Sequence, residues 1–272
     1  VAKYKKKRAR ELQHDKFRDT AGIIFDRITD RLEGQGKVIL YGIGAVLLVG
    51  ILVAGWVKWS NRKADEARRA LGRGITIATS PIASSNPLVP NPTGVTFSSE
   101  HERAQKAIEE FQKVAAKYGD PYRTEARYLA ATSMLAIDRE KAETELAEIS
   151  KSSVTDAATL ARFALAQAKQ QDGKLDDAAR LYGELASQKS TVITPDIANL
   201  NLAAVYEKQG KKQEAVDILF NIVEASRKAK DGEGLPVTPR AAAREAADRL
   251  QKLDPDRYAK LTPEAPAGDL SF

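Results

Sequence analysis

The 272 residues carry 43 Lys plus Arg against 37 Asp plus Glu, two His and no Cys. Without cysteine there is no disulfide, thiolate zinc site, iron–sulfur cluster or thiol nucleophile, and His14 and His101 leave little for imidazole metal binding. The formal charge of +6 looks like a nucleic-acid signal, but residues 1–37 hold +5, residues 58–73 hold +4, and the remaining 74–272 come to −3.

Lys3, Lys5, Lys6, Lys7, Arg8 and Arg10 open a basic tail over 1–37. They suit anionic lipid at about 1 kcal/mol per residue near a surface, or plain solvation. RNA phosphate is an alternative contact, but six basic residues beside a membrane anchor need no nucleic acid to explain them. Phe17, Ala21, Ile24, Phe25, Ile28 and Leu32 recur at helical spacing, predicting a short amphipathic helix that ends at Gly34-Gln35-Gly36.

The stretch VILYGIGAVLLVGILVAGWV, residues 38–57, is uncharged and long enough to cross a bilayer at about 1.5 Å per residue. Tyr41 lies near one end and Trp56 and Trp59 at the other, as interfacial aromatics would. The run exceeds the apolar core of a cleavable signal peptide, so it is expected to be a single transmembrane helix, assigned to 38–59. Basic residues close to the span number more on its C-terminal side, while the whole N-terminal tail carries eleven. A long C-terminal domain can cross largely regardless of charge, so the expected orientation is N-terminus cytoplasmic, C-terminal domain outside.

Residues 60–253 read as helices with a repeat. Ala107/Phe111, Ala142/Leu146, Ala178/Tyr182 and Ala215/Leu219 pair an alanine with a larger side chain four residues on, at steps of 35, 36 and 37. Twelve residues before the last three alanines stand Ala130, Ala166 and Ala203, each preceded by leucine. Small residues there let two antiparallel helices approach, and the larger ones fill the gap to the next pair. The first unit is split by a proline-rich loop assigned to 80–98, whose four prolines exclude a helix over 80–95. Ser99-x-x-Glu102 restarts the helix as a capping box. A closing helix is expected near 240–252, and TPEAPAGDLSF, within a tail at 254–272, is expected to be disordered.

These offsets resemble the tetratricopeptide repeat. Leu202-Ala203, Tyr206, Gly210, Ala215 and Leu219 match well; Leu165-Ala166, Gly173, Ala178 and Tyr182 follow, with Lys169 where Tyr is usual. The unit at 123–150 has Ile137 in place of the turn glycine, and Leu71-Gly72 with Ile75 are placed on the first helix of the split unit. The expected fold is all-α: a transmembrane helix followed by a tetratricopeptide-like solenoid of helical hairpins. Its concave face, lined by the first helix of each pair, would carry Arg127, Met134, Leu160, Phe163, Gln167, Gln170, Leu200 and Glu207 as a partner-binding groove. Leu160, Phe163 and Leu200 have a second reading, that they simply pack between repeats.

The chain holds no GxxxxGK[ST], GxGxxG after a strand, HExxH or GxSxG motif. Glu109-Glu110 and Asp176-Asp177 are helical neighbours that point to different sides, so they read as solvated faces. No enzyme, cofactor, metal or small-molecule substrate is expected. The tail, the span ending Gly55-Trp56-x-x-Trp59, the helix Ala64-Asp65-Glu66-Ala67 and the degenerate repeats resemble a bacterial inner-membrane tetratricopeptide family. That family is described as an ancillary subunit of the Sec translocon. The resemblance implies repeats exposed to the periplasm, and partners among translocon proteins and periplasmic chaperones. Here the longer basic tail and the proline-rich insertion depart from it. Two other classes stand beside it: an accessory structural subunit of another inner-membrane complex (respiratory or photosynthetic), and an RNA-binding scaffold.

Overall fold

The computed structural model describes residues 36–83 and 96–264, with the backbone alone for 36–44. The basic run Lys3–Arg10, the amphipathic segment, the Tyr41 side chain and residues 84–95 lie outside the described residues. The chain divides into two units, 1–64 and 65–272.

Helix α1 runs Gly36–Ala78 over 43 residues, and no proline interrupts it. In the first unit its apolar side chains stand in the open: Val46, Leu47, Leu48, Val49, Ile51, Leu52, Val53 and Trp56 are each more than half exposed. Lys63 Nζ lies 3.9 Å from the centre of the Trp59 ring. Among the described residues no helix is long and apolar enough to cross a membrane. The side chains of 38–44, which begin the apolar run, are not among them.

The second unit is an all-α stack of helical hairpins that resembles tetratricopeptide repeats. After the end of α1 come α2 (Glu100–Lys117), α3 (Tyr122–Met134), α4 (Arg139–Ile149), α5 (Thr155–Gln171) and α6 (Leu175–Ala186). Then follow α7 (Pro195–Lys208), α8 (Lys212–Lys228), α9 (Ala241–Leu253) and the single turn α10 (Pro255–Tyr258). From α2 onward each helix packs on its successor, and α3 also meets α5, as α7 meets α9. Short loops and this pairing are what stacked antiparallel hairpins require.

The repeat positions form the core. Ala107, Ala142, Ala178 and Ala215 have no exposed surface, and Phe111, Leu146, Tyr182 and Leu219 have at most 1%. Burying each large side chain contributes roughly 1.5–3 kcal/mol, while the alanines set the distance at which helices meet. Gly173 and Gly210, at φ 73° and 76°, end α5 and α7. Past each glycine the next N–H reaches back to a carbonyl, Lys174 to Lys169 and Lys211 to Tyr206, both at 2.9 Å. That paired closure needs a left-handed residue, which only glycine adopts without strain. The 135–138 turn has no glycine and solves the problem differently. Leu135, Ala136 and Ile137 close tight i→i−3 bonds, and Asp138 then accepts the Lys141 N–H at 3.1 Å as an N-cap.

In the first hairpin Leu71, Gly72 and Ile75 lie on the first helix as expected, and the tight contact falls two residues past Gly72. Leu71 is buried, but Gly72 faces open space and Ile75 is 44% exposed. Gly74 is the residue that abuts the Phe111 ring, where a Cβ would come 2.7 Å from Cδ1. The buried face of this helix is Ala67, Ala70, Leu71 and Gly74, whose i, i+3, i+4, i+7 spacing puts Gly72 on the far side. Gly74→Val is therefore expected to lower stability by about 1–3 kcal/mol, because Phe111 is fully buried and has nowhere to go. Gly74→Ala should lose less, since alanine regains about 1 kcal/mol of helix propensity. Thermal melts of the two variants test this ranking.

The ends of the proline-rich insertion are tied together. Phe97 pairs with Ile82, the Ala83 N–H donates to Phe97 O at 2.8 Å, and the Phe97 N–H donates to Pro81 O at 3.2 Å. Arg103 Nη1 fixes the neck by donating to Ser80 O at 3.2 Å. The Ser99 Oγ accepts the Glu102 N–H as expected, but the Glu102 carboxylate reaches back to Ser98 rather than to Ser99. Those Ser98 hydrogen bonds hold the Glu102 carboxyl below the usual carboxylate range.

At the other end, the tail is held further than its composition predicts. Leu261 is buried, and Thr262 donates its N–H and its hydroxyl to Glu224 at 3.0 and 2.8 Å. Arg227 closes the clasp by donating to Thr262 O at 2.8 Å. Disorder expected from Thr262 onward is thus corrected for residues 262–264: the buried Leu261 brings them onto α8, where a carboxylate and a guanidinium take them up. Lys228, then Thr262, hold the Glu224 carboxyl down at about 2, against an ordinary 4.5. A depressed folded-state pKa gives stability that is complete above the ordinary value and disappears as pH falls through the folded one. The melting temperature should therefore drop between about pH 4.5 and 2, and Glu224→Gln should remove part of that slope.

Candidate functional site

The eight residues expected to line one groove separate into three settings. On α3, Arg127 and Met134 are half-buried and share the wall of a cavity of about 420 Å³ with Gln112 of α2 and Lys141 of α4. Arg127 Nε donates to Glu145 Oε1 at 2.7 Å, so this guanidinium is already engaged. On α5, Leu160 and Phe163 are half-buried against the central core, which matches the packing reading rather than an open groove. Phe163 meets Tyr182 edge-on, with ring centres 5.8 Å apart. Gln170 accepts the Tyr182 hydroxyl at 3.1 Å, and Gln167 alone of the eight is exposed.

On α7, Leu200 is buried in the last core cluster, among Ala215, Leu219 and Ala243. Of its two readings, packing between repeats is the one that fits, because residues of α8 and α9 join it in that cluster and it keeps only 7% of its surface exposed. Glu207 is half-buried, 3.8 Å from Arg249 of α9. Arg127 and Met134 share one cavity wall, while Leu160 and Phe163 share the central core and Phe163 and Gln170 both meet Tyr182. Trp56 and Trp59 are exposed on α1, while the Tyr41 side chain and Lys3, Lys5, Lys6, Lys7, Arg8 and Arg10 lie outside the described residues.

The larger cavity, about 800 Å³, opens between α4, α5 and α6 and is lined mostly by charged side chains. Glu143, buried to about nine-tenths, takes Lys169 Nζ at 2.7 Å and has Lys174 Nζ at 3.8 Å. Asp172 pairs with Arg139, and Lys174 lies 3.5 Å away. Arg139 also donates to Ala168 O at 3.1 Å and to Gln171 Oε1 at 2.9 Å. A buried pair of this kind is a weak source of net stability, but removing one partner strands the other in a low-dielectric site.

This cluster was only half legible. Lys169 stood out as a cation where the repeat usually carries tyrosine. Nothing in the sequence showed that Glu143, beside the core residue Ala142, would turn inward to meet it across 26 positions. The adjacent carboxylates divide as helical geometry requires. Glu109 and Glu110 pair with Lys106 and Lys113 at the surface, Asp176 accepts from Gln209, and Asp177 lines the charged cavity. Among the described residues there is no cluster of three His, Asp or Glu that could hold a metal.

No family model matches the chain, and no curated protein matches it. Two solved structures are similar to it: a putative kinesin light chain of Podosopora anserina with nearly identical TPR-like repeats, and a single-substitution variant of the same protein. They are 19% and 18% identical, cover 57% of this chain and 83% and 82% of their own, and superpose with TM-scores of 0.43 and 0.44. The hairpin assignment rests on the helix pairing itself.

Proposed function

We propose that the chain is a non-enzymatic, membrane-tethered scaffold whose helical repeats bind other proteins. One observation carries the reading: an apolar stretch of α1 stands uncovered, in a helix that continues into the repeats. Eight large apolar residues in succession along the helix are each more than half exposed there, and monomers seldom leave apolar side chains gathered in the open without a partner surface. Together with Val38–Ala45 in the sequence, they complete a stretch of bilayer length bounded by Trp56 and Trp59. The tether is placed in a bacterial inner membrane, with the basic tail cytoplasmic and the repeats periplasmic. The partners are membrane or periplasmic proteins, foremost translocon and chaperone components; lipid meets the basic tail.

Affinity purification of the full chain in mild detergent tests this. Recovery of translocon and chaperone components is the expected result. A stoichiometric respiratory or photosynthetic assembly instead would make the chain a structural subunit of that complex. Absence of any protein partner would overturn the scaffold reading.

A further inference from the structure

We propose that the cavity between α4, α5 and α6 receives an arginine side chain of the protein partner. The proposal rests on the scaffold reading and names the chemistry of what the scaffold takes. Its first support is Glu143. Oε2 is held by Lys169, but the buried Oε1 has no hydrogen-bond donor among the described residues. A buried acceptor left without a donor is unfavourable, and a ligand that supplies the donor recovers that free energy.

The charges on the wall give the sign. Its cations are already engaged: Lys169 by Glu143, Lys174 by Glu143 and Asp172, Arg139 by Asp172, and Arg180 by Glu184 at 2.7 Å. Glu140 and Asp177, also on the wall, are exposed and make no ion pair among the described residues. Arg139 Nε, beside Asp172, is also buried without a well-aligned acceptor, but the wall carries five carboxylates against four cations, so its net charge is negative. Glu143 and Asp172 both lie near one cation, Lys174 Nζ, at 3.8 and 3.5 Å, and carboxylates gathered this closely favour a further cation that serves both.

The geometry selects guanidinium over the other cations. No group of three carboxylates or imidazoles is gathered for a metal among the described residues. A guanidinium presents five N–H donors in a fixed plane, enough to serve Glu143 Oε1 and a second carboxylate at once, whereas an ammonium is a compact point charge. Leu165 and Leu181 supply an apolar wall for the methylene stem. A volume of about 800 Å³ also leaves room for the partner's backbone at the mouth.

The test uses the full chain in nonionic detergent and fluorescence anisotropy with a labelled peptide, Gly-Ala-Arg-Ala-Arg-Ala-Gly. Matched peptides carry citrulline or glutamate in place of arginine. The arginine peptide should bind saturably, and the citrulline peptide about tenfold or more weaker, because the shape is kept and the charge-assisted bonds are lost. Glu143→Gln should weaken binding about tenfold. It also disturbs Lys169, so the double variant Glu140→Gln/Asp177→Asn, which breaks no ion pair, provides the second reading and should weaken binding several-fold. Equal binding of arginine and citrulline peptides overturns the proposal, as does preference for the glutamate peptide or an unaffected double variant. Partners that still copurify while the arginine peptide fails to bind overturn the cavity assignment alone and leave the scaffold reading standing.

Discussion

Tyr182→Ala is expected to lower the stability of the repeat unit by about 3–5 kcal/mol, the largest single loss among core truncations here. The ring has no exposed surface and belongs to the largest apolar cluster, which also holds Leu146, Ala166, Leu202 and Val205. Its truncation opens a cavity that two hairpins share, removes the edge contact with Phe163 and leaves Gln170 Oε1 without its donor. Burial has already pushed the phenol's pKa up, so the hydroxyl stays a donor across the ordinary pH range. Because stacked repeats are stabilised by neighbour interfaces, a loss here uncouples both flanking hairpins. Tyr182→Phe keeps the ring and drops only the hydrogen bond, worth roughly 1 kcal/mol. Urea unfolding of the two variants separates packing from hydrogen bonding. Equal losses would contradict the account.

Leu48→Arg, at the middle of the apolar stretch, is expected to release the chain from membranes while leaving the repeat fold intact. Arginine at the centre of a spanning helix is unfavourable by roughly 2.5–3.5 kcal/mol, and the lost leucine removes a further few tenths. That is comparable with everything the span gains from its valines, isoleucines and leucines after its glycines are discounted. Leu48 belongs to the first unit and the repeats to the second, so the melting curve of the repeats should not move. Fractionation with alkaline washing reads the first effect and circular dichroism the second. Retention of Leu48→Arg in washed membranes would contradict the tether.

The repeat was legible because its signal is steric. Alanine followed four residues later by a large side chain marks where helices touch, and all four such pairs became core. The split first unit has its Leu71-Gly72 pair on the first helix as expected, but which glycine makes the close contact is not legible, because Gly72 and Gly74 are equivalent as letters. Only the position of Phe111 in space shows which of them faces it. The groove was less legible for a related reason. Helical spacing tells which residues share a face but not which neighbouring helix covers it, and so Leu200 keeps two readings in the sequence, groove or inter-repeat packing, until its place in the last core cluster is seen. Glu143 was missed because a lone carboxylate on a helix reads as surface by default. Its burial depends on Lys169 from another hairpin, a pairing across 26 residues that no local pattern encodes.

Whether residues 38–57 hold a repeat scaffold at the outer face of a membrane is read by protease treatment of sealed, inverted inner-membrane vesicles carrying the full chain with a C-terminal epitope. The prediction is that the epitope is protected until detergent opens the vesicles. Digestion of the epitope in intact inverted vesicles would contradict the claim.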